Sequence, residues 1–163
     1  MKLGVVSDTH NNLKNITHLI SLFNCAEVDC VVHTGDITNE KSLAKFKDLE
    51  SDFYCVYGNN DRTEKGLQDV ANQEGFQLKE PPLVINVDDR SIAIFHEPDY
   101  INEFISRNKE VDIILHGHTH RYREEILDKV LIFNPGESAG MLKGKNAIGI
   151  IDLRDLSVQR VFF

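Results

Sequence analysis

The chain has 163 residues, of which 41% are apolar and 27% are charged, proportions that are ordinary for a globular protein. Its formal net charge of −8 leaves no general basic surface for nucleic acid or an anionic membrane. The length predicts a single domain over residues 1–163. The acidic charge predicts that it binds neither of these two partners.

The three cysteines, Cys25, Cys30 and Cys55, are odd in number and have no C-x-x-C spacing. This usage predicts reduced thiols rather than a disulfide framework. The apolar stretch at the N-terminus is too short for a signal peptide, and no run approaches the length of a membrane-spanning helix. Together these features predict a cytoplasmic protein.

Strand and helix patterns alternate along the first half of the chain. Apolar runs predict buried strands, and apolar residues at helical spacing predict helices. The strands are predicted at 2–7, 30–34 and 53–58, and the helices at 13–23, 40–49 and 63–75. This alternation is typical of a parallel sheet with right-handed crossovers.

The second half of the chain is mostly strand, with one helix predicted at 100–109. The strands are predicted at 83–87, 91–96, 112–117, 123–127, 130–134, 147–152 and 157–162. Glu80-Pro81-Pro82 is interpreted as a loop, because each flank is too small to build a core alone. We predict a second, mixed sheet packed on the first, in a layered α/β sandwich.

Acid, amide and imidazole side chains follow five of the predicted strands, at the ends where open α/β sheets bind ligands. They are Asp8, His10, Asp36, Asn59, His96, His118 and His120. Residues two apart on an extended backbone point the same way, which applies to Asp8 with His10 and to His118 with His120. Carboxylate, amide and imidazole ligands together suit Mn, Fe, Zn, Co or Ni.

These residues stand in segments that resemble the motifs of the calcineurin-like metallophosphoesterase superfamily. The segments are Asp8-Thr9-His10, Gly35-Asp36, Gly58-Asn59-Asn60-Asp61, His96 and Gly117-His118-Thr119-His120. The similarity spans essentially the whole chain and is greatest to the small single-domain bacterial and archaeal phosphodiesterases. The resemblance implies a four-layer αββα sandwich of two mixed sheets. Asn134-Pro135-Gly136 also resembles a family loop near the site.

The resemblance implies two divalent metal ions. One would be held by Asp8, His10, Asp36 and His120, and the other by Asp36, Asn59, His96 and His118, so that Asp36 is shared. Manganese is the first expectation, with nickel, iron, zinc and cobalt as alternatives. The implied reaction is hydrolysis of a small phosphodiester by a hydroxide bridging the metals, with Asp36, Asn59 and His96 as catalytic residues. Relatives are often dimers or tetramers, which makes a homo-oligomer possible.

Two positions depart from the family pattern. Asn60 stands where many relatives have a histidine that assists the leaving group. The absence of this histidine favours diesters and activated substrates. Glu97 follows His96 where relatives usually continue with Gly-His, so this loop is expected to run differently. The candidate substrate-binding residues are Asn59, Asn60, Arg62 and Arg121.

Other classes fit the sequence less well. A serine hydrolase is suggested by Gly136-Glu137-Ser138-Ala139-Gly140, but Pro135 interrupts the required elbow and no histidine follows His120. An amidohydrolase barrel needs about 250 residues. Phosphatases with an aspartyl nucleophile need aspartate at position 10. The open alternative is a weakly active or inactive protein-interaction scaffold of the same fold, as in a retromer subunit.

Overall fold

A computed structural model describes all residues 1–163, and its strands form two sheets. The strands of the first sheet are β1 (Lys2–Val6), β2 (Cys30–His33), β3 (Asp52–Val56), β4 (Gln77–Lys79), β10 (Ala147–Asp152) and β11 (Val158–Phe162). They are arranged in the order β11-β10-β1-β2-β3-β4. β1 to β4 are parallel, whereas β10 and β11 are antiparallel additions at one side.

The second sheet has five strands, which are β5 (Leu83–Val87), β6 (Arg90–Ile94), β7 (Ile113–Leu115), β8 (Arg123–Leu127) and β9 (Val130–Asn134). Their order is β5-β6-β7-β9-β8. The central strands β6, β7 and β9 are parallel, and the two edge strands are antiparallel. Both sheets are therefore mixed, which confirms the predicted α/β class.

Four α-helices cover the sheets, and none of them is long and apolar enough to cross a bilayer. They are α1 (Leu13–Ala26), α2 (Glu40–Lys45), α3 (Leu67–Glu74) and α4 (Ile101–Arg107), and a single 3-10 turn (Phe46–Asp48) follows α2. α1 begins after Asn12, whose side chain accepts a hydrogen bond from the backbone N of Asn15 at 3.1 Å.

Three apolar clusters separate four layers. The first joins α1, α2 and α3 to the first sheet, and includes Ile16, Phe23, Leu43, Leu67 and Phe53. The second lies between the two sheets, and includes Leu3, Val5, Ile94, Leu115 and Phe133. The third joins α4 to the second sheet, and includes Phe95, Ile101, Ile105 and Ile114. This αββα order agrees with the implied sandwich.

Three details differ from the sequence-based expectations. β10 and β11 extend the first sheet rather than the second, because β10 pairs with β1 and apolar runs do not specify a pairing partner. The helix predicted at 63–75 begins only at Leu67, because Gly66 has a left-handed φ of 88°. β4 was not predicted, because only Leu78 of its three residues is buried.

Candidate metal centre

The parallel pairing of the strands brings the seven predicted ligand residues to one edge of the sandwich. β1, β2 and β3 are parallel neighbours in the first sheet, and β6 and β7 are parallel neighbours in the second. All seven residues follow the carboxyl ends of these strands. The sheets face each other across a shared core, so the loops of both sheets meet above it.

The first group of ligand atoms forms around His10. Its Nε2 atom lies 3.3 Å from Nε2 of His120, 3.5 Å from Oδ2 of Asp36 and 4.0 Å from Oδ1 of Asp8. Nε2 of His120 is also 3.5 Å from Oδ1 of Asp8. Two carboxylate oxygens and two imidazole nitrogens thus surround one point, which is a donor set suited to a transition metal.

The second group forms around Asn59. Its Oδ1 atom lies 2.9 Å from Nε2 of His96 and 2.9 Å from Nδ1 of His118. Nε2 of His96 is in turn 3.6 Å from Oδ1 of Asp36. This group therefore offers one carboxylate oxygen, one amide oxygen and two imidazole nitrogens.

Asp36 belongs to both groups. Its Oδ2 atom faces His10 in the first group, and its Oδ1 atom faces His96 in the second. The carboxylate is 2% exposed, so it can reach both groups but not bulk solvent. A single carboxylate with one oxygen in each of two donor sets has the arrangement needed to join two cations.

Five of the seven residues have a left-handed backbone. The φ angles are 51° for Asp8, 40° for His10, 61° for Asp36, 65° for His118 and 56° for His120. Such values are uncommon for residues other than glycine, and they cluster at functional sites when the surrounding fold enforces them. Here they turn side chains from several loops towards a common centre.

A buried oxygen without a partner indicates that this site fits a cation. Asp8 is fully buried, and its Oδ1 atom has no hydrogen-bond donor. An unpaired buried carboxylate oxygen is unfavourable in a metal-free protein, because burial penalises the charged form. Burial accordingly raises the pKa of Asp8 to about 6, and lowers the pKa of His10. A divalent cation would supply the missing partner of Oδ1.

Asp61 supports the turn that carries Asp36 and Asn59. Its Oδ2 atom accepts hydrogen bonds from the backbone N of Asp36 at 2.8 Å and of Gly58 at 2.7 Å, and its Oδ1 atom accepts one from Thr38 N at 2.7 Å. Asp61 stands within one of the sequence motifs, but no role was predicted for it. A carboxylate at a Gly-Asn-Asn-Asp turn was the only available signal, and such turns are common.

His96 follows a strand of the second sheet, and a backbone carbonyl group at the end of a strand of the first sheet orients its ring. Its Nδ1 atom lies 2.9 Å from the carbonyl oxygen of Thr34, which leaves Nε2 directed towards Asp36. Gly35 permits this approach, because it has a φ of 105° and a methyl group there would lie 2.6 Å from Nδ1 of His96.

The predicted Asn134-Pro135-Gly136 loop adjoins the segment that carries His118 and His120. Nδ2 of Asn134 donates to the carbonyl oxygen of Gly117 at 3.0 Å and to Oγ1 of Thr119 at 3.2 Å. Asn134 is fully buried, so these hydrogen bonds are protected from water. The loop thus supports the two histidines without contributing a ligand atom.

The other predicted substrate-binding residues lie around the two groups. Asn60 donates to Asp36 from both its backbone and its side chain. Arg62 lines a cavity beside His96, and its Nε lies 3.7 Å from Oε2 of Glu80. Arg121 lines a different cavity, beside His118. Two cationic side chains therefore flank the candidate metal centre on separate sides.

Comparisons with known proteins identify the family to which the chain belongs. The family model described as the calcineurin-like phosphoesterase superfamily domain matches residues 1–156. The phosphodiesterase MJ0936 of Methanocaldococcus jannaschii is 34% identical over 157 residues, which cover 93% of each chain.

Two solved structures illustrate the structural similarity. An archaeal phosphodiesterase superposes with a TM-score of 0.87 and 31% identity over all of both chains. A single-mutant form of Vps29 from Entamoeba histolytica gives a TM-score of 0.70 and 17% identity over 100% of this chain and 99% of that one, which shows a common fold alone. The family match covers most of the chain, and the chain therefore belongs to the calcineurin-like phosphoesterase superfamily.

Proposed function

We propose that this protein is a binuclear metal-dependent phosphodiesterase that hydrolyses a small phosphodiester. The observation that carries the proposal is the carboxylate of Asp36, with Oδ2 3.5 Å from His10 and Oδ1 3.6 Å from His96. The similarity to a phosphodiesterase of Methanocaldococcus jannaschii supports the same reaction class. The domain that carries the activity is residues 1–163 as a single unit.

The proposed ligands are the seven residues of the two groups. Asp8, His10, Asp36 and His120 would hold one cation, and Asp36, Asn59, His96 and His118 would hold the other. The lowered pKa of His10 keeps its imidazole neutral near pH 7, which is the form that binds metal. The unpaired Oδ1 atom of Asp8 gives independent support for a cation in the first group.

Two divalent cations would supply a nucleophile from water at neutral pH and stabilise charge on the attacking and leaving oxygens. The chain itself holds Asp36, Asn59 and His96 at the junction of the two groups, which is why we assign the reaction to them. Arg62 and Arg121 are placed to bind non-bridging phosphate oxygens or the ester arms on either side. Asn60 can donate a hydrogen bond but cannot deliver a proton, which favours diesters over monoesters with poor leaving groups.

Manganese is the first candidate metal, and nickel, iron, zinc and cobalt also suit carboxylate, amide and imidazole ligands. A cytoplasmic location is supported by the three free cysteines, of which Cys30 and Cys55 are buried. A homodimer or homotetramer stays a prediction.

The test begins with metal-free protein, prepared with a chelator and reloaded with each of the five metals in turn. We expect close to two equivalents of bound metal and hydrolysis of bis(p-nitrophenyl) phosphate, with manganese most effective. Asp36→Ala should abolish hydrolysis and lower the bound metal. Asp69→Ala is a matched control, because Asp69 is an exposed acid on α3 that makes no ion pair.

Two results would contradict the proposal. If Asp36→Ala retained its metal and hydrolysed the diester at the wild-type rate, Asp36 would not be the shared ligand. If the wild-type protein bound metal but hydrolysed no diester with any of the five metals, the scaffold alternative would replace the enzyme.

A further inference from the structure

A cavity of about 440 Å³ opens beside His96. Its lining comes from the turn after β3, the Pro81-Pro82 segment before β5, and the chain from Phe95 to Asn108. Its volume falls within the range of about 300–1,000 Å³ that is usual for small-molecule sites. Because His96 also belongs to the candidate metal centre, a molecule bound at that centre can extend into the cavity.

Part of the lining of this cavity is apolar and aromatic. Phe95 and Phe104 lie edge to face with ring centroids 5.2 Å apart, and Pro82 contributes a further apolar surface. Tyr100 is 67% exposed, and its hydroxyl makes no hydrogen bond within the protein. The exposed ring of Tyr100, which lines the same cavity as Phe95 and Phe104, offers a stacking surface for a planar ligand.

The charged groups of the cavity are paired, with one exception. Arg107 lies 2.6 Å from Glu103, so this cation has an acidic partner, and Arg62 lies 3.7 Å from Glu80 in an exposed pair that a phosphate oxygen can displace. Glu97 is half-buried and makes neither a hydrogen bond nor an ion pair. Glu97 therefore contributes a carboxylate without a protein partner to the lining, which repels a second phosphate and favours a ligand that carries N–H donors.

We propose that this cavity binds the nucleobase of one ester arm, with the ring against the aromatic wall and its N–H edge donating to Glu97. This inference rests on the proposed phosphodiesterase function. A carboxylate has two oxygens and accepts two parallel hydrogen bonds, which requires two adjacent donors on the ring. Guanine has such an edge in N1–H and the N2 amino group, whereas adenine places an acceptor, N1, beside its amino group.

The test measures guanosine and adenosine binding to the metal-free protein by nuclear magnetic resonance titration. Wild-type protein should bind guanosine saturably and more tightly than adenosine. Glu97→Gln should weaken guanosine binding at least tenfold and remove the preference, and Tyr100→Ala should weaken binding of both nucleosides. Tyr122→Ala is the matched control, because Tyr122 is an exposed aromatic residue in the cavity beside His118 and should leave guanosine binding unchanged.

A second measurement compares p-nitrophenyl esters of guanosine and adenosine monophosphate as substrates of the manganese-loaded enzyme. The ratio of their kcat/KM values should favour guanosine at least tenfold and approach one in Glu97→Gln.

The inference is overturned if neither nucleoside binds saturably, or if Glu97→Gln keeps the wild-type preference. Those results could occur while bis(p-nitrophenyl) phosphate is still hydrolysed, which would leave the proposed function intact. Loss of that hydrolysis together with Glu97-dependent guanosine binding would refute the proposed function and retain the base-binding cavity.

Discussion

Asn60 donates two hydrogen bonds to the carboxylate of Asp36, from its backbone N to Oδ1 at 2.9 Å and from Nδ2 to Oδ2 at 2.7 Å. Each oxygen of Asp36 therefore has a donor from Asn60 and a neighbouring histidine. Asn60 is itself an exposed residue. Position 60 consequently lies between the shared carboxylate and the solvent from which a substrate would arrive.

Replacing Asn60 by histidine introduces a group that can both donate and release a proton at this position. We expect Asn60→His to raise monoesterase activity relative to diesterase activity by about tenfold or more, within the range of general-acid catalysis. The measurement is kcat/KM for p-nitrophenyl phosphate and bis(p-nitrophenyl) phosphate with manganese. Asn60→Ala removes the amide without adding an acid, and should not raise this ratio. Equal ratios in both variants would contradict the expected role of an acid at this position.

Asp61 should be important for stability, because its buried carboxylate accepts hydrogen bonds from three backbone N–H groups. Asp61→Asn replaces one acceptor oxygen by a donor and leaves at least one buried N–H without a partner. We expect the free energy of unfolding in urea to fall by about 2–4 kcal/mol. Asp69→Asn, at an exposed position in the first turn of α3, should lower it by less than about 1 kcal/mol, because only the favourable charge at the helix N-terminus is lost. Similar losses in the two variants would show that Asp61 does not organise the turn.

His33 should make the fold sensitive to acid. Burial lowers its pKa to about 3, and the ring lies 3.0 Å from Oγ1 of Thr9 and 3.1 Å from the backbone N of Gly35. Because the folded-state pKa lies below the unfolded value of 6.5, the unfolded chain binds the proton more readily. The contribution of neutral His33 is therefore complete above about pH 6.5 and is lost as the pH falls towards 3.

The measurement compares wild-type protein with His33→Asn, both metal-free, by urea unfolding between pH 7.5 and 5. The stability advantage of wild type over the variant should fall by about 2 kcal/mol over this range. Titration of Asp8 affects both proteins and cancels in the comparison. A difference that does not change with pH would contradict the prediction.

The contact between Gly149 and Phe133 should limit how closely the two sheets can pack. Gly149 lies on β10 in the first sheet, and a methyl group there would lie 2.5 Å from Cζ of Phe133 in the second. We expect Gly149→Ala to destabilise the protein by about 1–3 kcal/mol through overpacking. Phe133→Leu should be destabilising alone but less so in the Gly149→Ala background, as measured by a double-mutant cycle of thermal unfolding. Additive losses would show that the two residues do not limit the sheet spacing.

The class of the fold and the candidate ligands can be predicted from the amino-acid sequence. Apolar runs and helical spacing report the local period of burial, which is why β1, β2, β3 and their connecting helices were predicted from the pattern. The ligand residues were found for a related reason. Parallel strands deliver the residues after their carboxyl ends to one edge, so position along the chain already indicates position at the site.

The pairing of the strands and the contacts of each polar group, in contrast, become visible only in the three-dimensional structure. The runs at 147–152 and 157–162 predict strands, but the pairing of β10 with β1 depends on contacts between distant parts of the chain. The three hydrogen bonds to Asp61, the two from Asn60 to Asp36 and the unpaired Glu97 arise where separate loops meet. Local periodicity carries no information on contacts between separate loops. Hydrogen-bond partners and cavity walls depend on long-range packing rather than on neighbours in sequence.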